Sequence, residues 1–314
     1  MKPRHDGQCA LDPNEAGMSF TAIPGFGEFC SILSALAWAV GVMLYRQLGA
    51  NLPPLQLNFL KNSLVMLMLL PAIPLAHGWA YADFSGLQIA TAMASGAIGI
   101  GLADTLYFRA LNELGAGRMG VLGNFYSPMV IVLSFFFLGE SLTPMQVGGF
   151  VLVSAGVWLA AWPRSGEPRP AHAMRGLMYA LLAVGLMAGA IVLVKRVLEA
   201  QPLMWVTGWR MLGALLMMVA IALLRRETAL LKPSPGLPWG KLALAAFAGQ
   251  FIAMVLWLAG YKFTTASVAA ILNETASVFI LLLAWAWLKE PLSRRAVAGV
   301  GLTLSGVCCM LWLP

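Results

Sequence analysis

The tightest constraint on this chain is that its pattern comes twice. Phe137-Leu138-Gly139-Glu140-Ser141-Leu142 returns as Trp287-Leu288-Lys289-Glu290-Pro291-Leu292, 150 residues later. The same offset pairs Leu122 with Leu272, Val147 with Val297, Gly149 with Gly299, Gly156 with Gly306 and Trp162 with Trp312. Upstream it pairs Arg46 with Arg196 and, after a one-residue shortening, Pro53 with Pro202 and Lys61 with Arg210. An offset held over most of the chain marks a two-fold internal repeat. Whatever unit one half forms, the other must form as well.

Composition restricts that unit. With 60% hydrophobic and 11% charged residues, and a mean hydropathy of +0.80, the chain lies outside the range of soluble domains. Its net charge of +7 is not laid out as a basic stripe with interleaved aromatics, which argues against nucleic acid. Lys and Arg sit instead in short clusters between apolar runs, as in a multi-spanning membrane protein.

A crossing helix needs about 20 apolar residues. Ten segments qualify: 29–48, 54–75, 87–110, 116–138, 144–162, 174–194, 202–224, 241–260, 266–288 and 292–313. Thr143-Pro144-Met145-Gln146 reads as a helix start, with Thr143 as N-cap, Pro144 in the first turn and Gln146 closing a capping box. Residues 1–28 read as a polar tail without the apolar run of a signal peptide, and Met18 offers a second start. Residues 29–162 form the first five-helix repeat, 163–173 a polar linker and 174–314 the second repeat. The expected fold is an all-α polytopic membrane protein with ten transmembrane helices. Five crossings is an odd number, so the second repeat enters the membrane from the opposite side. Inverted repeats of this kind are a common design of secondary transporters, with substrate held near the midplane and the halves rocking about it.

Several chemistries lack their residues. Cys9, Cys30, Cys308 and Cys309 have no ligand spacing and read as inert thiols. His5, His77 and His172 fall in the tail and loops, so no metal site and no cofactor is expected. No G-x-x-x-x-G-K-S/T loop is present to use ATP directly, and Gly99-Ile100-Gly101 lacks the third glycine of a dinucleotide fingerprint. An intramembrane enzyme would need a histidine cluster, an H-E-x-x-H helix or paired membrane aspartates, none of which occurs.

The Leu138-Gly139-Glu140-x-Leu142-Thr143-x-x-Gln146…Gly149 pattern, its copy at Leu288–Gly299, Ala110-Leu111…Ala116 and Pro128 carry a resemblance. Each half resembles an EamA domain, and the whole, over about residues 29–313, resembles the drug/metabolite transporter superfamily. The second copy departs at Lys289, where glycine is usual, and at Val278, where the first has Pro128. The resemblance implies export or exchange of small metabolites, often amino acids or drugs, across a bacterial inner membrane. It also implies a central cavity lined partly by the fourth and ninth helices. Facilitated movement or import of the same solutes is the alternative, and neither proton coupling nor oligomeric state is specified.

Ionisable residues inside membrane helices are functional candidates by default: Lys61, Asp104, Arg109, Arg210 and Glu274. Glu274 lies about 12 Å into the ninth helix, and its repeat partner is Asn124. With Asn273, Tyr126 and Thr275 nearby, it either binds a substrate amine or exchanges a proton, or it is a structural carboxylate paired to Arg210 or Lys61. Lys61 and Arg210 either hold a substrate carboxylate, balance Glu274 and Asp104, or snorkel to an interface. Asp104, matched by Met254, breaks the symmetry; it either tells apart the two ends of a substrate or bonds to a neighbouring helix. Arg109 is expected among lipid headgroups. Trp38, Tyr107, Trp205, Trp209 and Trp257 either line a cavity for flat solutes or sit at membrane interfaces. Glu140 and Glu290 are expected to be structural, stabilising helix N-terminal amides beside the start of the next helix.

Two readings of orientation oppose each other. Five basic residues fall on the side of both termini (Lys2, Arg4, Lys195, Arg196, Lys262) and twelve on the other. Positive-inside counting therefore places the termini outside, whereas the resemblance implies termini in the cytoplasm.

Overall fold

The computed structural model describes residues 24–48, 53–77, 83–114, 122–160, 173–231, 236–288 and 294–311, and every regular element among them is helical. The expected tail up to residue 23, the linker through residue 172 and Glu290 lie outside the described residues. The first half contains α1 (Phe26–Leu48), α2 (Pro54–His77) and α3 (Gly86–Gly96), which runs through a π-helical stretch, Ala97–Leu102, into α4 (Ala103–Leu114). It continues with α5 (Tyr126–Leu138) and α6 (Pro144–Ala160). The second half contains α7 (Ala173–Ala200), α8 (Leu203–Leu224) and α9 (Trp239–Ala246), which runs through a second π stretch, Phe247–Ile252, into α10 (Ala253–Phe263). After it come α11 (Ala266–Asn273), α12 (Ala276–Leu288) and α13 (Arg294–Leu311).

Seven helical spans are long and apolar enough to cross a membrane, and three further apolar helices, Tyr126–Leu138, Pro144–Leu159 and Val297–Leu311, are shorter. The continuous helices expected over 87–110, 116–138, 241–260 and 266–288 are not regular throughout. Both π stretches and both breaks, at Asn124-Phe125 and Glu274-Thr275, interrupt them, and each kind of interruption recurs after 150 residues. The π stretches leave no compositional mark, since they lie within apolar runs with no internal proline, whereas the breaks fall on polar residues, Asn124 shortly before Pro128 and Asn273-Glu274-Thr275.

Small residues decide how closely the helices approach. Gly41 on α1 meets Gly249 in the second π stretch backbone to backbone: a Cβ on either would fall 2.3 or 2.2 Å from the other's Cα. Gly99, its counterpart in the first π stretch, lies against Ala190 of α7. The helices α6 and α13 cross in the same way, with Gly149 against Gly306 and Gly156 against Gly299. The start of each thus meets the end of the other, so these two helices run antiparallel. Val153, Val157, Val307 and Met310 fill that crossing together with Val268, Ile271 and Leu272 from α11.

The capping box at α6 forms as expected: Gln146 N donates to Thr143 Oγ1 at 3.2 Å, and Thr143 N to Gln146 Oε1 at 3.0 Å. Ser85 and Gln88 make a second box at the start of α3.

Candidate functional site

Two repeat-equivalent cations are sealed inside the bundle, Lys61 on α2 at 1% exposure and Arg210 on α8 at 2%, as is Lys195 near the end of α7. A charge taken out of water needs partners, and Lys61 and Arg210 each find one on the other half. Lys61 Nζ donates to Gln250 Oε1 at 3.2 Å, within the second π stretch. Arg210 Nη1 donates to Ser95 Oγ, two residues before the first π stretch. The Ser95 hydroxyl in turn donates to Ala190 O on α7 at 2.5 Å. Repeat-equivalent cations therefore each reach across to the other half, one into a π stretch and the other just before one.

Their remaining surroundings differ. Lys61 has a carboxylate, Asp104 Oδ2, at 3.4 Å, and that carboxyl keeps 19% of its side chain exposed. Snorkelling is thus not what Lys61 does; its ammonium turns inward because Asp104 and Gln250 are there. Asp104 takes the interhelical pairing that the sequence left as one of two options. The described residues place no carboxylate within ion-pair distance of Arg210, and its Nε has no hydrogen-bond partner.

Aromatic faces complete the site. The Lys61 ammonium lies 6.0 Å from the Trp38 ring centre and 5.5 Å from that of Phe108, and the Arg210 guanidinium lies 5.7 Å from the Trp257 ring. Such contacts contribute about 0.5–2 kcal/mol each, more where water is excluded. Trp257 packs edge-on against Tyr261 at 4.8 Å, and the Tyr261 hydroxyl shares a 2.9 Å hydrogen bond with that of Tyr126. Asn58, one helical turn before Lys61, donates to Ile100 O inside the first π stretch at 3.2 Å and accepts from Asn62 at 2.9 Å. Single π turns are concentrated at functional sites in helical proteins, and both of these border the buried cations.

Glu274 stands apart. It occupies the break between α11 and α12, is 8% exposed, and accepts a 3.4 Å hydrogen bond from Ser154 on α6. Its other oxygen, Oε1, has no partner. The alternative pairing of Glu274 with Lys61 or Arg210 does not form, because Asp104 and Ser95 occupy those cations on other helices. Asn124, at the matching break, buries an Nδ2 without an acceptor. Asn273 donates to Ala269 O in its own helix at 2.7 Å.

Glu140 is structural, but not toward the helix that follows it. Its oxygens accept from Ala266 N at 2.8 Å, Ser267 N at 3.0 Å and Ser267 Oγ at 2.9 Å. The carboxylate therefore caps α11 in the other half, and α6 relies on Thr143. Nearby, Lys262 Nζ donates to Leu198, Glu199 and Gln201 carbonyls at 2.6, 3.1 and 2.7 Å, closing the end of α7. A cavity of about 470 Å³ lies here, lined by Leu138, Glu140, Lys195, Arg196, Glu199 and Lys262 among others.

The structure thus gathers Lys61, Asp104 and Trp38 into one network and Arg210, Trp257 and Tyr126 into another. It places Glu274, Asn124 and Asn273 at or beside the helix breaks. Ser95, Gln250 and Tyr261 were missed. A polar residue inside an apolar run was the available signal for Gln250; Ser95 is too common in such helices to stand out.

Comparison with known proteins follows this geometry. A sequence profile described as the EamA-like transporter family matches residues 25–162 and again 174–312. Protein PecM of Dickeya dadantii (strain 3937) is 25% identical over 273 residues, covering 86% of this chain and 79% of PecM. Uncharacterized transporter YxxF of Bacillus subtilis (strain 168) is 29% identical over 161 residues, covering 51% of this chain and 50% of its own. An uncharacterized transporter of Archaeoglobus fulgidus is 31% identical over 136 residues, covering 43% of this chain and 45% of its own. One crystal structure superimposes with a TM-score of 0.73 at 21% identity, covering 90% of this chain and 95% of that one.

Proposed function

The chain belongs to the EamA-like transporter family, and from that premise we propose that it is a secondary active exporter of small amphiphilic metabolites, amino acids or their relatives, working by alternating access. Ten crossings in two inverted five-helix repeats would carry the motion. The antiparallel crossing of α6 with its repeat partner α13 supports that arrangement, as do the π stretches and helix breaks recurring after 150 residues.

One observation carries the reading: Lys61 and Arg210, buried at equivalent places, each bond to the opposite half. Burying unshared charge in a membrane protein is costly and is retained where a pathway needs it. Groups held between two halves are also the groups whose partners change when the halves rock. In this reading Lys61, Asp104 and Arg210 meet the substrate's polar end, Trp38, Trp257 and Tyr126 its flat or apolar part, and Asn124 and Asn273 add hydrogen bonds near the fourth and ninth helices. Glu274, at a helix break and with one unpartnered oxygen, is the coupling carboxylate: a proton arriving there changes the hold on Ser154 and hence the angle between α11, α12 and α6.

The experiment is metabolite profiling of medium and cytosol from bacteria overproducing the wild type, Glu274→Gln and Arg210→Gln. Export by the wild type alone supports both the transport reading and the two residues. Equal export by the wild type and Glu274→Gln makes Glu274 structural. An unchanged medium with stable insertion of all three defeats export, and a solute enriched in the cytosol would then reverse the direction to import.

A further inference from the structure

We infer that the solute carried at the Lys61–Arg210 site bears one net negative charge, with its anionic group held by Arg210. This rests on the transport reading and narrows it.

The argument is a charge count. Lys61 and Asp104 neutralise one another at 3.4 Å. Arg210, 2% exposed, donates to the neutral Ser95 hydroxyl, leaves Nε unbonded and has no carboxylate within ion-pair distance among the described residues. Glu274 does not reach it, being bonded to Ser154 instead. The Tyr126 and Tyr261 hydroxyls bond each other. Lys61, Asp104 and Arg210 as a group therefore carry one cation in excess, with Glu274 buried apart from them. Buried charges in folded proteins are paired, and a guanidinium presents a planar fork of donors that matches two oxygens of one anionic group. A net monoanion brings that group to neutrality. A zwitterion leaves it at one positive charge, and a cation raises it to two.

Two further observations point the same way. Trp209, beside Arg210 on α8, also buries its ring N–H without an acceptor, as does the Asn124 amide nitrogen. Unmet donors call for a ligand rich in acceptor oxygens. At the end of the bundle where α5, α7 and α10 finish, the cavity of about 470 Å³ is lined by Lys195, Arg196 and Lys262 against Glu140 and Glu199. Glu140 is already committed to the α11 amides. The cavity's lining carries one more cation than carboxylates, which raises the local concentration of anions. The Trp257 face, 5.7 Å from the guanidinium, adds a flat wall for an aromatic or otherwise planar body.

The test uses three probes that share one indole ring: indole-3-acetate (an anion), tryptophan (a zwitterion) and tryptamine (a cation). Binding to the purified full chain in nanodiscs is measured at neutral pH, where the three share the indole contacts and differ in their charged side chains. Indole-3-acetate is expected to bind about tenfold or more tightly than either of the others, the size of one good charge-assisted pair. Arg210→Gln should abolish that preference and Arg210→Lys keep part of it. The wild-type ranking decides even if a variant misfolds. Tryptophan or tryptamine equalling indole-3-acetate, or no binding of indole-3-acetate at millimolar concentration, overturns the inference. Its failure is distinguishable from failure of the transport reading. Export of solutes that are zwitterions or cations leaves transport standing and removes the charge rule, whereas absence of solute movement defeats transport itself.

Discussion

Replacing Glu140 tests the contact that ties the end of α5 to the start of α11. Its carboxylate accepts three hydrogen bonds, from Ala266 N at 2.8 Å, Ser267 N at 3.0 Å and Ser267 Oγ at 2.9 Å. Bonds to a charged group contribute about 1.5–3 kcal/mol each, and a negative charge at a helix N-terminus adds about 0.3–1 kcal/mol. The bonds share one carboxylate, so they do not add in full. Glutamine keeps one accepting oxygen and turns an NH₂ toward a backbone N–H. On that basis Glu140→Gln costs about 2 kcal/mol, and Glu140→Ala, which loses all three, about 3–4 kcal/mol. At about 2–4 °C per kcal/mol for chains of this order of size, glutamine lowers Tm by about 4–8 °C. Thermal unfolding followed by intrinsic fluorescence in detergent reads this directly. A double-mutant cycle locates the partner: Glu140 should couple to Ser267→Ala by about 1 kcal/mol and to Thr143→Ala by less than about 0.5 kcal/mol. Coupling to Thr143 with none to Ser267, or an unchanged Tm for Glu140→Ala, would refute the cross-repeat cap and return Glu140 to the helix next to it in sequence.

Other perturbations have equally definite outcomes. Gly41→Ala or Gly249→Ala places a Cβ 2.3 or 2.2 Å from backbone that cannot yield, so neither should give a monodisperse peak on size exclusion; Gly185→Ala, whose nearest neighbour is 3.6 Å away, should behave as wild type. Lys61→Met strands the Asp104 carboxylate and should destabilise by about 3–5 kcal/mol, with Lys61→Met/Asp104→Asn recovering most of the loss in thermal unfolding. Glu274→Gln holds its site in the uncharged form, so flux in proteoliposomes should stop responding to an imposed pH gradient. Persistence of the wild-type response in that variant would remove Glu274 from coupling.

Much of the architecture was legible because it depends on local and repeated properties. Apolar length marks helices, Thr143 and Gln146 are three residues apart and form the box that their spacing dictates, and a repeat is visible wherever its offset is held. Lys61, Asp104 and Arg210 stood out as charges in apolar runs. Their partners did not, because Ser95 and Gln250 lie 115 and 189 residues from Arg210 and Lys61. The same limit misdirected Glu140: the nearest helix start in sequence belongs to α6, yet the amides the carboxylate caps belong to α11, 126 residues away.

By itself, the sequence determined a doubled, apolar, helical chain with a small set of charges that a membrane interior would not tolerate unpaired. Those properties follow from residue type and spacing alone. Only the tertiary structure decided which charges meet. Gly41 on Gly249, Gly149 on Gly306 and Gly156 on Gly299 set helices at backbone contact, and that approach fixes which side chains face each other. The pairing of Lys61 with Asp104, the lack of a carboxylate within ion-pair distance of Arg210 among the described residues and the withdrawal of Glu274 to Ser154 all depend on those crossings. An ion pair reaches only a few ångströms, and no spacing along the chain determines which helices come that close.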